Sequence, residues 1–112
     1  HVKSGRLKAL AVTSAEPSAL APGLPTMAAS GLPGYEVVSI IGLFAPARTP
    51  ATLVNRLNQE IVQVLGKPEV KEKLFNTGIE VIASSPAQLA ATMKADIVKM
   101  EKVIKDAGIK VD

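Results

Sequence analysis

The stretch GYEVVSIIGLFAPARTPATLVNRLNQEIVQVL, residues 34–65, decides the fold that the sequence predicts. Its first half is a nearly continuous apolar run over residues 35–45, which is typical of a β-strand covered on both faces. Its second half repeats apolar residues at helical spacing over residues 50–65, which predicts an amphipathic helix. One strand that leads directly into one helix indicates an α/β domain.

The turn between this strand and this helix is APARTP, residues 45–50. Thr49 is a good N-cap residue, and Pro50 suits the first helical position because its missing N–H is not needed there. A helix N-terminus also presents free N–H groups and the positive end of the helix dipole, so this turn is a candidate contact for a carboxylate. The same residues are what any well-capped helix needs, and capping alone is the preferred interpretation.

The rest of the chain supplies the other elements of a small α/β domain. The runs RLKALAVT and IEVIA predict strands over residues 6–13 and 79–83. Apolar residues at helical spacing predict further helices over residues 68–77 and 86–107. The fold class is therefore α/β, a small mixed or parallel three-stranded sheet flanked by helices. We expect residues 1–112 to form a single domain.

Two capping signals predict where helical turns begin. Ser85 and Gln88 have the spacing of a capping box, and Pro86 between them suits the first helical position. In the loop that precedes the second predicted strand, Thr26 can cap one short turn. Gly31 can end that turn in a left-handed conformation.

Composition excludes several classes of protein. Of 112 residues, 47% are hydrophobic but only 3% are aromatic, so the core must be built from Ala, Val, Leu and Ile. The net charge is only +3, and aromatic stacking platforms are scarce, which argues against a nucleic-acid binder. The absence of cysteine excludes disulfides and thiolate metal sites.

Neither catalysis nor a cofactor is predicted. A nucleophilic Ser or Thr needs a nearby base, and the only histidine is His1, at the beginning of the chain. The carboxylates fall on predicted helix surfaces beside lysines, which is typical of a solvated face rather than of a metal site. We therefore expect no enzyme activity, no metal and no cofactor.

Two small residues interrupt the apolar run of the central predicted strand. Gly42 indicates a bulge or a close approach by another backbone or a ligand, and Ser39 places a hydroxyl among apolar neighbours. Ordinary packing at Gly42 and a satisfied buried hydroxyl at Ser39 are the preferred interpretations. Together with Thr49, these residues are the candidate ligand-binding residues of the chain.

Four segments, read together, carry a family resemblance. They are GRLKALAVTS (5–14), LPTMAASGLPGYEV (24–37), GLFAPARTPATLVNRLNQEI (42–61) and VIKDAGIK (103–110). In this order they resemble the C-terminal part of the tripartite tricarboxylate transporter receptor family, the Bug-type periplasmic solute-binding proteins. Many members of that family have an aromatic residue just before the glycine that matches Gly42, where this chain has Ile41.

The resemblance implies a two-lobed, periplasmic-binding-protein-like (type II) α/β fold, of which this chain is a C-terminal fragment. It implies a periplasmic receptor that captures a small organic carboxylate and delivers it to membrane permease subunits. A signal segment is expected upstream. A lobe without its partner exposes apolar surface, so we also expect a homo-oligomer. The alternative function is a stand-alone interaction or dimerisation module with no small-molecule ligand.

Overall fold

Three helices form the regular secondary structure in the computed structural model, which describes residues 1–2 and 4–110. Helix α1 is Ala51–Leu65, α2 is Pro68–Asn76 and α3 is Pro86–Asp106. Each predicted helix is thereby confirmed to within one residue at either end. Helices are predicted well from sequence because each one pairs most of its backbone groups internally.

The three-stranded sheet is not confirmed, because the described residues contain no β-ladder in any of the three predicted strands. A single parallel bridge joins Val12 to Thr26. There the Val12 N–H donates to the Pro25 carbonyl over 2.9 Å, and the Met27 N–H donates to the Val12 carbonyl over 2.9 Å. An apolar run becomes a strand only when a neighbouring backbone completes its hydrogen bonds, and the pattern alone does not provide that neighbour.

The chain forms two compact units, His1–Ile41 and Gly42–Asp112. In the first unit, the residues around Val12 hold two other segments by backbone hydrogen bonds. One is the Val12 bridge to residues 25–27, and the other is a 2.8 Å bond from the Val37 N–H to the Thr13 carbonyl. This unit is therefore organised by isolated hydrogen bonds between loops rather than by a sheet.

The short turn predicted at Thr26 is confirmed. The Thr26 hydroxyl accepts a 3.1 Å hydrogen bond from the Ala29 N–H, and the Ser30 N–H donates to the Thr26 carbonyl over 3.0 Å. Gly31 follows with a φ of 110°, which glycine adopts without steric cost. Thr26 is 6% exposed and is the one buried residue in the part of the chain that the structure describes.

In the second unit, α1 contacts both α2 and α3. Its apolar stripe is half-buried at Val54, Ile61, Val62 and Leu65. A side-chain hydrogen bond supplements this packing, since the Asn58 amide donates from Nδ2 to the Ser84 carbonyl over 3.0 Å. Asn58 thereby ties the middle of α1 to the residue that lies just before the N-cap of α3.

The capping box at the start of α3 is confirmed in both directions. The Gln88 N–H donates to the Ser85 hydroxyl over 3.2 Å, and the Ser85 N–H donates to the Gln88 side-chain oxygen over 2.9 Å. Pro86 occupies the first helical position, as the sequence predicts. This end of α3 is therefore fixed next to the carbonyl that Asn58 binds.

We predict that Asn58→Ala lowers the free energy of unfolding by about 1–2 kcal/mol, because it leaves the half-buried Ser84 carbonyl without its protein donor. Urea unfolding followed by circular dichroism measures the change. Gln59→Ala is the matched control, since Gln59 is its exposed neighbour on the same helix. Equal midpoints for the two variants would show that the Asn58 bond does not stabilise the unit.

Candidate functional site

The turn that leads into α1 is closed by Thr49. Its N–H donates to the Pro46 carbonyl over 3.2 Å, and its hydroxyl donates to the same oxygen over 2.8 Å. Arg48, inside the turn, has a φ of 71°. A positive φ at this position is the feature that normally selects glycine or asparagine in a turn of type II.

The prediction that Thr49 caps α1 is wrong. The N-cap is Pro50, and no side chain of the described residues makes a capping hydrogen bond there. The Pro50 carbonyl accepts hydrogen bonds from the N–H groups of Leu53 (3.0 Å) and Val54 (3.1 Å). The Thr49 hydroxyl instead donates to the Pro46 carbonyl within the turn, and the helix begins one residue later than the sequence predicts, so that Pro50 does not occupy the first helical position.

The uncapped end of α1 keeps free donors. Among the described residues, no acceptor pairs with the N–H groups of Ala51 and Thr52. These groups lie at the positive end of a 15-residue helix, and the first turn of that helix contains no acidic side chain. Chemically, the arrangement suits an anion such as a carboxylate.

Gly42 is a packing glycine in the structure. A Cβ atom built on it would lie 3.1 Å from Cζ of the Phe44 ring and 3.2 Å from Cδ2 of Leu89. Side chains of its own unit therefore lie against Gly42, which agrees with ordinary packing, the preferred interpretation of this glycine. Leu89 belongs to the first turn of α3, so Gly42 sits beside the end of α3 that the capping box fixes.

Ser39 lies in the first unit and is exposed, which differs from the predicted buried hydroxyl. Gly42 and Thr49 lie in the second unit and are both half-buried. Their immediate partners differ, since Gly42 adjoins Phe44 and Leu89 whereas Thr49 bonds to Pro46. Gly42 and Thr49 thus have separate local contacts.

Sequence reasoning missed two features near this site. The residue type of Arg48 does not predict its left-handed backbone, because arginine rarely adopts that conformation. The hydrogen bond of Asn58 leaves only a weak signal, a short polar side chain next to the apolar stripe of α1.

The described residues contain neither a metal-binding cluster nor a membrane-spanning helix. No group of three or more His or acidic side chains is arranged to hold a metal ion in that part of the chain. None of the described helices has the length and apolarity that crossing a membrane requires.

A family profile described as "Tripartite tricarboxylate transporter family receptor" matches residues 1–109. One curated relative, "UPF0065 protein in tcbD-tcbE intergenic region" of Pseudomonas sp. (strain P51), is 39% identical over 105 residues. That alignment covers 93% of this chain and 31% of the relative. Another relative, "Protein BugT" of Bordetella pertussis, is 29% identical over 110 residues, which are 98% of this chain and 34% of BugT.

A solved structure shows the same relationship in three dimensions. It is titled "R. palustris Rpa4515 with adipate" and matches with a TM-score of 0.76 and 36% sequence identity. The match covers 96% of this chain and 36% of that chain. This chain therefore spans about a third of the length of the relatives it matches. The matched family is one of solute receptors of a transporter rather than of enzymes.

We predict that Arg48→Gly raises the free energy of unfolding by about 0.5–1 kcal/mol, because glycine adopts a positive φ without the steric cost that other residues bear. Arg48→Ala is the matched control, since it removes the same charge but keeps a Cβ atom. Thermal unfolding of the three proteins at one salt concentration measures the difference. If the glycine variant were no more stable than the alanine variant, the left-handed conformation would not be a source of strain.

Proposed function

Because the chain belongs to the tripartite tricarboxylate transporter receptor family, we propose that the receptor it forms part of captures a small organic carboxylate for uptake. The observation that carries the proposal is the match to the adipate-bound R. palustris protein, at a TM-score of 0.76 and 36% identity. The proposed mechanism is binding and delivery, with no chemical step. The proposed location is the periplasm, and the proposed partners are the permease subunits of the transporter.

Within this chain, we propose that the N-terminus of α1 binds the ligand carboxylate. Thr49, which holds the turn, places the free N–H groups of Ala51 and Thr52 at the positive end of the helix. Ser39 and Gly42 are the other proposed contact positions, Ser39 through its exposed hydroxyl and Gly42 through its backbone. Much of the remaining cleft is proposed to come from parts of the receptor outside this chain.

The proposed fold of the receptor accounts for the strands that the described residues lack. We propose that residues 6–13, 35–45 and 79–83 pair within the sheet of a two-lobed α/β protein. This chain would then be a C-terminal α/β domain of that protein, within one lobe. The family match over residues 1–109 supports this proposal.

A second candidate function is a stand-alone interaction or dimerisation module. It is favoured by the many large apolar side chains that are exposed, among them Ile41, Leu43 and Ile82 at 75%, 75% and 86%. Such surface drives association when nothing else covers it. We propose on this basis that the chain by itself forms a homo-oligomer.

The ligand proposal is tested in a chimera, defined as the R. palustris protein with its matched portion replaced by this chain. We predict that the chimera binds adipate in calorimetry and does not bind adipamide, which has the same length but no charge. Failure of the chimera to bind adipate, with the parent R. palustris protein binding normally, would contradict the proposed function.

The role of the α1 N-terminus is tested by Ala51→Pro in the chimera. Proline removes one free N–H yet fits the first helical position, and the ψ of 137° at Pro50 is compatible with a following proline. Loss of one hydrogen bond to a charged group costs roughly 1.5 kcal/mol, so we predict about tenfold weaker adipate binding. Ala51→Ser keeps the N–H and is the control. Equal affinities would show that the carboxylate does not use this helix end.

Self-association is tested by size-exclusion chromatography with light scattering on this chain alone. We predict a mass above the 11.7 kDa of one chain, rising with concentration because apolar contacts obey mass action. A monomer over the whole concentration range would contradict the homo-oligomer and the interaction-module function together.

A further inference from the structure

Helix α3 extends beyond the part of its unit that covers it. Its 21 residues are about 32 Å long, whereas the 15 residues of α1 span about 22 Å. Among the described elements, α1 is the one helix that α3 contacts. Every residue of α3 after Met100 is exposed, including Val103 and Ile104. The C-terminal half of α3 therefore carries apolar side chains in contact with solvent.

These side chains belong to a heptad pattern. The apolar stripe of α3 comprises Met93, Ile97, Met100 and Ile104, which are separated by four, three and four residues. A period of this kind lets two helices pack side by side, with each side chain inserted among four side chains of the other helix. Ile97 is 54% exposed and Ile104 is 43% exposed, so their own unit leaves this stripe incompletely covered.

Two residues of opposite charge border the stripe on one side. Lys94 and Glu101 are seven residues apart, which is about two helical turns, so they lie on the same edge of the stripe. Both are exposed, and neither forms an ion pair with a residue that the structure describes. The other edge of the stripe carries Asp96 and Val103.

The signs of these charges select the orientation in which a second copy fits. If two α3 helices run antiparallel, with Ile97 of each level with Met100 of the other, Lys94 of each lies beside Glu101 of the other. These two charged residues then differ in height by only about 3 Å, and a two-fold axis repeats the pair. If the helices run parallel, Asp96 of each lies beside Glu101 of the other, which brings like charges together twice. The charges therefore favour the antiparallel pair.

We propose that the apolar stripe of α3 is the self-association surface of this chain, and that the same stripe of a second copy occupies it in antiparallel orientation. Met93 of each copy then lies level with Ile104 of the other, and the two helices form a symmetric dimer. The inference rests on the homo-oligomer proposed above and adds its surface and its orientation. It is separate from the ligand proposal, because no residue of the stripe is a proposed ligand contact.

Reversal of the two charges tests the orientation. We expect Lys94→Glu and Glu101→Lys each to weaken the homodimer about tenfold in sedimentation equilibrium at low salt, because each change brings like charges together at two symmetric positions. An equimolar mixture of the two variants should form a heterodimer of the original stability, since opposite charges then meet at both positions. Lys71→Glu and Glu72→Lys, at exposed residues of α2, are the controls.

Three outcomes of this experiment would overturn the inference. A homodimer that Glu101→Lys strengthens would show the parallel orientation, in which Asp96 gains an opposite charge. Variants of α3 that behave like the controls would place the contact on another surface and leave the homo-oligomer intact. A chain that stays monomeric would contradict the homo-oligomer as well. Adipate binding by the chimera, which tests the ligand proposal, depends on none of these outcomes.

A second matched pair of variants tests the apolar contact. Ile97→Lys places a charge at the centre of the stripe, whereas Val98→Lys places one at the adjacent residue, which is 61% exposed and lies outside the stripe. We expect Ile97→Lys to weaken the dimer at least about tenfold and Val98→Lys to weaken it less than about twofold, because burying an unpaired charge is costly. Circular dichroism should show unchanged helix content in both variants, since both residues are exposed in the single chain. Equal dissociation constants for the two variants would overturn the inference.

Discussion

Every backbone N–H and carbonyl group needs a hydrogen-bond partner. The secondary structure of each segment depends on how far along the sequence that partner lies. The three helices find theirs within four residues. The apolar segments must find theirs in another strand, and over residues 38–45 the described chain supplies none. This difference distinguishes the helices from the apolar segments that remain loops, and it also decides which surfaces remain exposed.

Helix α1 is the element through which the second unit is held together. It contacts α2 and α3, and its Asn58 side chain binds the carbonyl of Ser84, next to the capping box of α3. The same helix presents its uncapped N-terminus at the turn that Thr49 closes. The side chains that position α1 are thus distinct from the backbone N–H groups that α1 leaves unpaired among the described residues.

Local signals made most of the helical structure predictable. The capping box of Ser85 and Gln88, and the turn at Thr26, were read correctly because every partner lies within a few residues. The prediction of the α1 N-cap is wrong by one residue, because the Thr49 side chain closes the preceding turn on the Pro46 carbonyl and the residue type alone does not distinguish the two roles. The residue type of Arg48 does not indicate its positive φ.

The sheet could not be predicted, because strand pairing is a non-local property that an apolar run does not specify. Of the candidate site, the sequence located the turn correctly but assigned the wrong capping residue, and it did not anticipate the exposure of Ser39.

The exposed stretch at residues 38–45 has a kinetic consequence. Helices with local contacts form early in folding, whereas strand pairing across a long separation forms late. While the pairing is incomplete, an uncharged run rich in β-branched residues is displayed to other chains, and such runs are prone to aggregate. The charges of Glu36 and Arg48 and the ring of Pro46 border the run on either side. They act as gatekeepers, which oppose growth of a misassembled sheet beyond the ends of the segment.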